Sequence, residues 1–210
     1  MEYSKVVILG NGDFPNHPYP FEVLDKADTI ICCDGAADEL IRIGKIPSVI
    51  VGDLDSLSHE AKLKFSDIII HIPDQETNDQ TKAVNWALKS GFKDLVIIGN
   101  TGRREDHTIA NISLLSDYAK LANIRCLTNT GIFTPISKTT TFNSFAGQQV
   151  SIFSLSKGTR ITSHNLKYQL NNLILDKLWM GTLNEATGSD FILEFEEGEL
   201  IVYQLYPPDM

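Results

Sequence analysis

Along the first 130 residues, short apolar runs alternate with longer stretches whose apolar positions recur at helical spacing. The runs are Lys5 to Leu9 (KVVIL), Thr29 to Cys33 (TIICC), Ser48 to Val51 (SVIV), Asp67 to Ile72 (DIIIHI), Asp94 to Ile98 (DLVII) and Ile124 to Thr128 (IRCLT). Short, β-branched and apolar on both faces, they predict strands of a buried parallel sheet. Between them DGAADELIRIG, LSHEAKLKF, NDQTKAVNWALKSG and EDHTIANISLLSDYAKLA predict helices, two of which close on Gly44 and Gly91. Strands alternating with helices imply a doubly wound, mainly parallel α/β domain, assigned to residues 1–131.

From residue 132 to residue 210 the period shortens. In GIFTPISKTTTFNSFAGQQVSIFSL and FILEFEEGELIVYQL, Thr, Ile, Phe and Val alternate with polar residues, punctuated by Gly, Asn or Ser. This pattern predicts a small antiparallel β-sandwich, with EFEEGELIVY as a hairpin turning at Gly198. A module of about 75 residues is small for an independent core, so it is expected to pack on its neighbour or on a second subunit.

Composition narrows the function classes. With 210 residues, 42% of them hydrophobic, the chain has enough apolar material for a core. A formal net charge of -9 provides no broad basic field, which argues against nucleic acid and anionic membranes as partners. A polyanion such as a nucleotide then requires metal ions and local Lys or Arg to reverse the sign inside a cleft. Cys32, Cys33 and Cys126 form an odd set with two adjacent members, as expected of free buried thiols in a reducing cytoplasm. The apolar run in MEYSKVVILGNGD is too short for a signal sequence or membrane span, so a cytoplasmic location is expected.

In an open parallel sheet, ligands bind beyond the carboxyl ends of the strands. The segments following five consecutive predicted strands carry Gly10, Asn11, Gly12 and Asp13; Asp34 and Gly35; Asp53 and Asp55; Gln75, Asp79 and Lys82; and Gly99, Gly102, Arg103, Arg104 and Asp106. In an extended chain Asp53 and Asp55 would point to one side, about 6.5 Å apart, and repel unless a cation joins them. A solvated turn accounts for that stretch alone equally well. Asp79 and Asp106 also suit helix starts as caps, and Asp34 an Asp-Gly turn. Five such segments on one rim favour a site. Asp53, Asp55 and Asp79 are hard oxygen ligands without zinc-like Cys or His spacing, so the expected cation is Mg²⁺. Leu57 stands where an EF-hand needs its next ligand, and neither glycine segment fits a P-loop or dinucleotide fingerprint. Arg104 and Lys82 supply local positive charge.

Taken in order, CDGAAD, VGDLDSL, DQETNDQTKA and GNTGRREDHTIAN, followed by NLKYQL and GTLNEA in the β-rich tail, resemble the thiamine pyrophosphokinase family over nearly the whole chain. The resemblance implies transfer of the terminal diphosphate of ATP to the hydroxyl of thiamine, giving thiamine diphosphate and AMP. It also implies Mg²⁺ at Asp53, Asp55 and Asp79 with Asp34 close by, and Arg104 and Asp106 in the nucleotide and phosphate site. Gln75 would lie near the substrate. The family is a homodimer with thiamine held between the α/β domain of one subunit and the β-domain of the other, and Tyr168 and Asn184 are the candidate thiamine contacts. An aromatic face beside the cationic thiazolium is worth up to about 2 kcal/mol when desolvated. Four positions depart from the family pattern: Arg103 where a second Gly is common, Leu183 for Ser, Gln169 for Pro and Tyr168 for Trp. A Mg²⁺-dependent nucleotidyltransferase or phosphohydrolase, and a non-catalytic thiamine or nucleotide sensor, remain open alternatives to the residue pattern alone.

Overall fold

The computed structural model describes residues 6–208, so Lys5 of the first predicted strand lies outside the described residues. Two compact units emerge, Met1–Ile112 with Lys120–Asn129, and Ser113–Ala119 with Thr130–Met210.

In the first unit, β1 (Val6–Leu9), β2 (Thr29–Cys33), β3 (Val49–Gly52), β4 (Ile69–His71), β5 (Asp94–Ile98) and β6 (Asn123–Leu127) pair in the order β6-β5-β1-β2-β3-β4. Each pair is parallel. β1 and β3 are buried throughout, as runs apolar on both faces require, whereas β4 at the sheet edge is largely exposed. Between β1 and β2 the chain forms α1 (Pro18–Asp25), which the apolar pattern does not reveal. Its start relies on Pro18 at the first helical position and on the His17 Nδ1, which accepts the Tyr19 N–H at 3.2 Å. α2 (Ala36–Arg42), α3 (His59–Lys64) and α4 (Asp79–Lys89) follow β2, β3 and β4. Ser58 and Asn78 cap the last two by accepting the N–H groups of Ala61 and Thr81. The stretch predicted as one long helix after β5 is two: α5 (Glu105–Ser113), which buries no side chain, and α6 (Leu115–Ala119), which buries Leu115, Ser116 and Tyr118. α6 belongs to the second unit.

β1 pairs with β2 on one side and β5 on the other, so the winding reverses there. The loops leaving these two strands interlock: the Gly10, Gly12 and Asp13 N–H groups donate to Ile98, Gly99 and Thr101 carbonyls at 2.8, 2.6 and 2.8 Å. A Cβ on Gly12 would sit 2.3 Å from the Thr101 oxygen, so only glycine permits this approach.

The second unit contains β7 (Gly131–Ile136), β8 (Thr140–Asn143), β9 (Gln149–Ser154), β10 (Arg160–His164), β11 (Leu173–Ile174), β12 (Asn184–Glu185), β13 (Asp190–Glu194) and β14 (Leu200–Leu205). They run β12-β9-β14-β7 and β11-β10-β13-β8 in antiparallel pairs. Val150, Ile152, Leu200 and Val202 of the first sheet share a core with Phe142, Ile161, Phe191 and Leu193 of the second. This is the expected sandwich, but the predicted hairpin at Gly198 is absent. β13 pairs with β8 and β10, while both edges of β14 are taken by β7 and β9. Gly198, at φ 114°, therefore turns the chain from one sheet to the other. No described helix is long and apolar enough to cross a membrane.

Candidate active site

The first unit holds a cavity of about 550 Å³ where the strand-end loops converge, with Gly10, Asp53, Asp55, Asp79, Lys82 and Arg104 among its lining. Asn11, Gly12, Gln75 and Gly102 line it too.

Asp34 leaves β2 in a left-handed conformation, φ 44°, and is wholly buried. Its Oδ2 accepts both the Ser56 N–H at 2.9 Å and the Ser56 hydroxyl at 2.7 Å, and the Gly35 N–H donates to the Ser56 Oγ at 3.1 Å. Its other oxygen, Oδ1, is buried without a hydrogen-bond partner. The chain between Asp53 and Asp55 is not extended as the sequence suggested, because Leu54 adopts φ 70°. The resulting turn still gathers the acids: one oxygen each from Asp34, Asp53 and Asp55 lies within 4.8 Å of the others. Holding a bulky residue left-handed costs about 1–2 kcal/mol, a strain typical of functional turns.

Asp79 falls outside that trio. It begins α4, and its Oδ1 meets the Lys82 ammonium at 3.1 Å, while Asp53 Oδ2 lies 3.4 Å from the same nitrogen. The Lys82 side chain is only 2% exposed, so this charge sits beneath the site rather than on its rim. Burial opposes the ammonium's charge, yet Asp79 and Asp53 together hold its pKa above the ordinary value. Burial raises the Asp79 carboxyl, and Lys82 only partly offsets the rise. Asp55 is raised by its contact with the Asp34 carboxylate and then by the charge of Asp53. Burial also pushes Asp53 upward, but Gln75 Nε2 at 3.0 Å, the Asp55 N–H and Lys82 outweigh it and bring Asp53 below its usual range. Neighbouring carboxylates are thus driven apart, as happens where acids share a cation or divide acid and base duties.

The loop after β5 forms the other wall. Arg104 is bound bidentately to Asp106, Nε to Oδ1 at 3.0 Å and Nη2 to Oδ2 at 2.5 Å, on the exposed rim. That guanidinium lowers the Asp106 carboxyl to about 2. Arg103 takes φ 57°, a conformation that suits glycine, and donates to Asn11 Oδ1 at 2.8 Å. In the second unit Asn184 is buried, and its Oδ1 accepts the Tyr168 and Glu185 N–H groups while its Nδ2 donates to the Tyr168 carbonyl. Asn184 thereby presents Tyr168, whose side chain is exposed, as are those of Trp179 and Leu183. A larger cavity of about 990 Å³ in this unit, bordered by Lys157, Arg160, Glu194 and Glu197, contains none of the predicted site residues.

Sequence reasoning missed Ser56, although it directly follows the Asp-x-Asp stretch, and Gly52, whose lack of a side chain admits Asp34. It also missed Gln80, Asn100 and Asn111, which line the cavity. The three cysteines are free and buried, and burial pushes the Cys126 thiol up to about 12.

Fold and site together define a doubly wound α/β protein equipped for phosphate chemistry, with clustered carboxylates, a buried lysine and glycine loops at the reversal of the sheet. Residues 21–127 match the thiamin pyrophosphokinase catalytic domain and residues 131–203 the thiamin pyrophosphokinase substrate-binding domain. The chain belongs to the thiamin pyrophosphokinase family. It is 27% identical over 187 residues to thiamin pyrophosphokinase 1 of Caenorhabditis elegans, a match covering 81% of this chain and 76% of that protein. The crystal structure of thiamine pyrophosphokinase from Bacillus subtilis shares the fold with a TM-score of 0.79 at 23% identity, covering 96% of this chain and 99% of that one. The yeast thiamin pyrophosphokinase structure gives 0.76 at 20% identity, over 98% and 87%. Family membership favours neither the nucleotidyltransferase or phosphohydrolase alternative nor the sensor.

Proposed function

We propose that the chain is a thiamine diphosphokinase that transfers the β,γ-diphosphate of ATP to the hydroxyl of thiamine, with Mg²⁺ held by Asp34, Asp53 and Asp55. The observation that carries this reading is the buried Asp34 Oδ1, which has no hydrogen-bond partner and belongs to a trio of acids whose oxygens lie within 4.8 Å of one another. A buried carboxylate oxygen without a partner is costly, and a hard divalent cation satisfies it. Bound there, Mg²⁺ would neutralise phosphate oxygens and polarise the group being transferred.

The protein's own contribution is positioning and charge. The glycine loops admit the triphosphate close to the main chain. Arg104, released from Asp106 or together with it, faces the phosphates from the rim. Lys82 fixes Asp53 and Asp79 relative to each other. Asp79, with its raised pKa and its place outside the trio, accepts the proton of the thiamine hydroxyl. The hydroxyl oxygen then bonds to the β-phosphorus, the bond from that phosphorus to the α,β-bridging oxygen breaks, and AMP departs. ATP and cation handling fall to residues 1–131 and thiamine recognition to residues 132–210, where Tyr168 offers its ring to the thiazolium. The exposed Tyr168, Trp179 and Leu183 support a homodimer in which a second copy covers these side chains, and the three buried free thiols support a cytoplasmic setting.

Mass spectrometry of the full chain with ATP, Mg²⁺ and thiamine tests the reaction. Equimolar AMP and thiamine diphosphate are expected. Pyrophosphate, free phosphate or ADP as the product, or ligand binding without ATP consumption, would refute it.

A further inference from the structure

In the lining of the cavity three amide side chains close a ring in which two of the bonds end on main-chain carbonyls. The Gln80 Nε2 donates to the Asn111 carbonyl at 3.1 Å, the Asn111 Nδ2 donates to the Asn100 carbonyl at 2.9 Å, and the Asn100 Nδ2 donates to the Gln80 Oε1 at 3.0 Å. The remaining side-chain acceptors are also engaged. The Cys126 thiol donates to the Asn100 Oδ1 at 2.9 Å, and the Asn78 Nδ2 donates to the Asn111 Oδ1 at 3.0 Å. Gln80 and Asn100 are 5% and 4% exposed. Each residue comes from a different element: Gln80 from the first turn of α4, Asn100 from the loop after β5 and Asn111 from α5.

We propose that this ring is a positioning device for the transfer reaction, setting the distance between the acidic wall of the site and its arginine and glycine wall. α4 carries Asp79 and Lys82, and Gln80 stands between them in sequence, so whatever fixes Gln80 fixes both. The loop after β5 carries Gly102, Arg103 and Arg104, and Asn100 anchors its start. Asn78, which also caps α4, ties the same helix end to Asn111. An amide network whose side-chain acceptors are all engaged favours one arrangement, so it fixes a spacing that apolar packing would leave adjustable. Each of these amides commits its side-chain carbonyl and one N–H to protein partners, and the effect proposed for them is on geometry.

The proposal rests on the transferase reading for its kinetic test only. Gln80→Leu keeps comparable bulk and removes both of the Gln80 bonds. It should lower kcat about 100-fold while the KM for ATP moves less than about threefold and the ATP to GTP preference is unchanged. Gln80→Glu retains the acceptor for Asn100 and should recover about a tenth or more of wild-type kcat. Asn78→Ser keeps a capping oxygen but loses the tie to Asn111, and a drop of about three- to tenfold in kcat is expected; it decides the matter where Gln80→Leu does not fold. Wild-type kcat in the folded variants, or a changed nucleotide preference with kcat retained, would overturn the proposal. Hydrogen exchange in the ligand-free protein separates this failure from failure of the functional reading. Amides of the first α4 turn should exchange about tenfold faster in Gln80→Leu whatever reaction the wild type performs, and unchanged protection would sink the ring's role.

Discussion

Gly52→Ala tests how tightly the fold has closed around the acidic trio. Gly52 ends β3, pairs with His71, and accepts the Ile72 N–H at 2.8 Å, so its backbone has little room to retreat. A Cβ at this position would lie 2.9 Å from the Asp34 Cβ, 3.4 Å from the Asp34 Cα and 3.3 Å from the Asp79 Oδ1. Carbon pairs settle at about 3.5–4.0 Å, so Asp34 must move by about 0.6 Å or more. Its carboxylate cannot follow freely, being buried and held by two bonds from Ser56. Overpacking of this kind costs about 1–3 kcal/mol, and replacing glycine within a strand returns about 0.5–1 kcal/mol. A net loss of about 1–2 kcal/mol should lower the melting temperature by about 2–8 °C. Because a misplacement of about 1 Å costs about 100-fold in rate, turnover should fall about 10- to 100-fold at saturating Mg²⁺. Initial rates of AMP release and a thermal melt measure both effects. Wild-type turnover with an unshifted melt would show that Asp34 does not need its present position.

Asp55→Asn should remove at least about 100-fold of turnover. Its melting temperature should stay level or rise, because the substitution relieves the repulsion from Asp34 and Asp53 that raises the Asp55 pKa; a marked loss of stability would contradict this. Lys82→Met strips a buried cation from two carboxylates and should cost about 2 kcal/mol, read as a lower denaturant midpoint with little change in slope. An unmoved midpoint would count against the bridge. Asp106 has a depressed pKa, so the stability it contributes is present above the ordinary value of 3.8 and disappears as pH falls through about 2. In an NMR titration Arg104→Ala should return the Asp106 midpoint toward 3.8, and no movement would refute the pairing.

The sequence disclosed much of this fold because β1, β2, β3 and β5 are buried on both faces and must read as unbroken apolar runs. α1 escaped because its start depends on proline geometry and a histidine cap rather than on apolar spacing. The hairpin at Gly198 failed for a different reason: alternation marks β13 and β14 as strands, but it does not say which strands they pair with. Within the site, Asp34, Asp53 and Asp55 were legible through one topological rule, that parallel strands deliver their following residues to a common edge. The turn at Leu54 was not, since nothing about leucine announces a positive φ. Nor was the amide ring. Its bonds join residues 20, 31 and 11 positions apart, and Gln and Asn are ordinary on helices and loops.

Diffraction from crystals of the full chain grown with Mn²⁺ and α,β-methylene ATP, whose α–β bridge resists cleavage, tests the central claim most directly. The expected result is an anomalous peak on the order of 2 Å from oxygens of Asp34, Asp53 and Asp55, with the nucleotide's phosphates against the Gly10–Gly12 and Gly99–Arg104 loops. A metal bound away from these three carboxylates, or a nucleotide seated outside this cavity, would contradict the account.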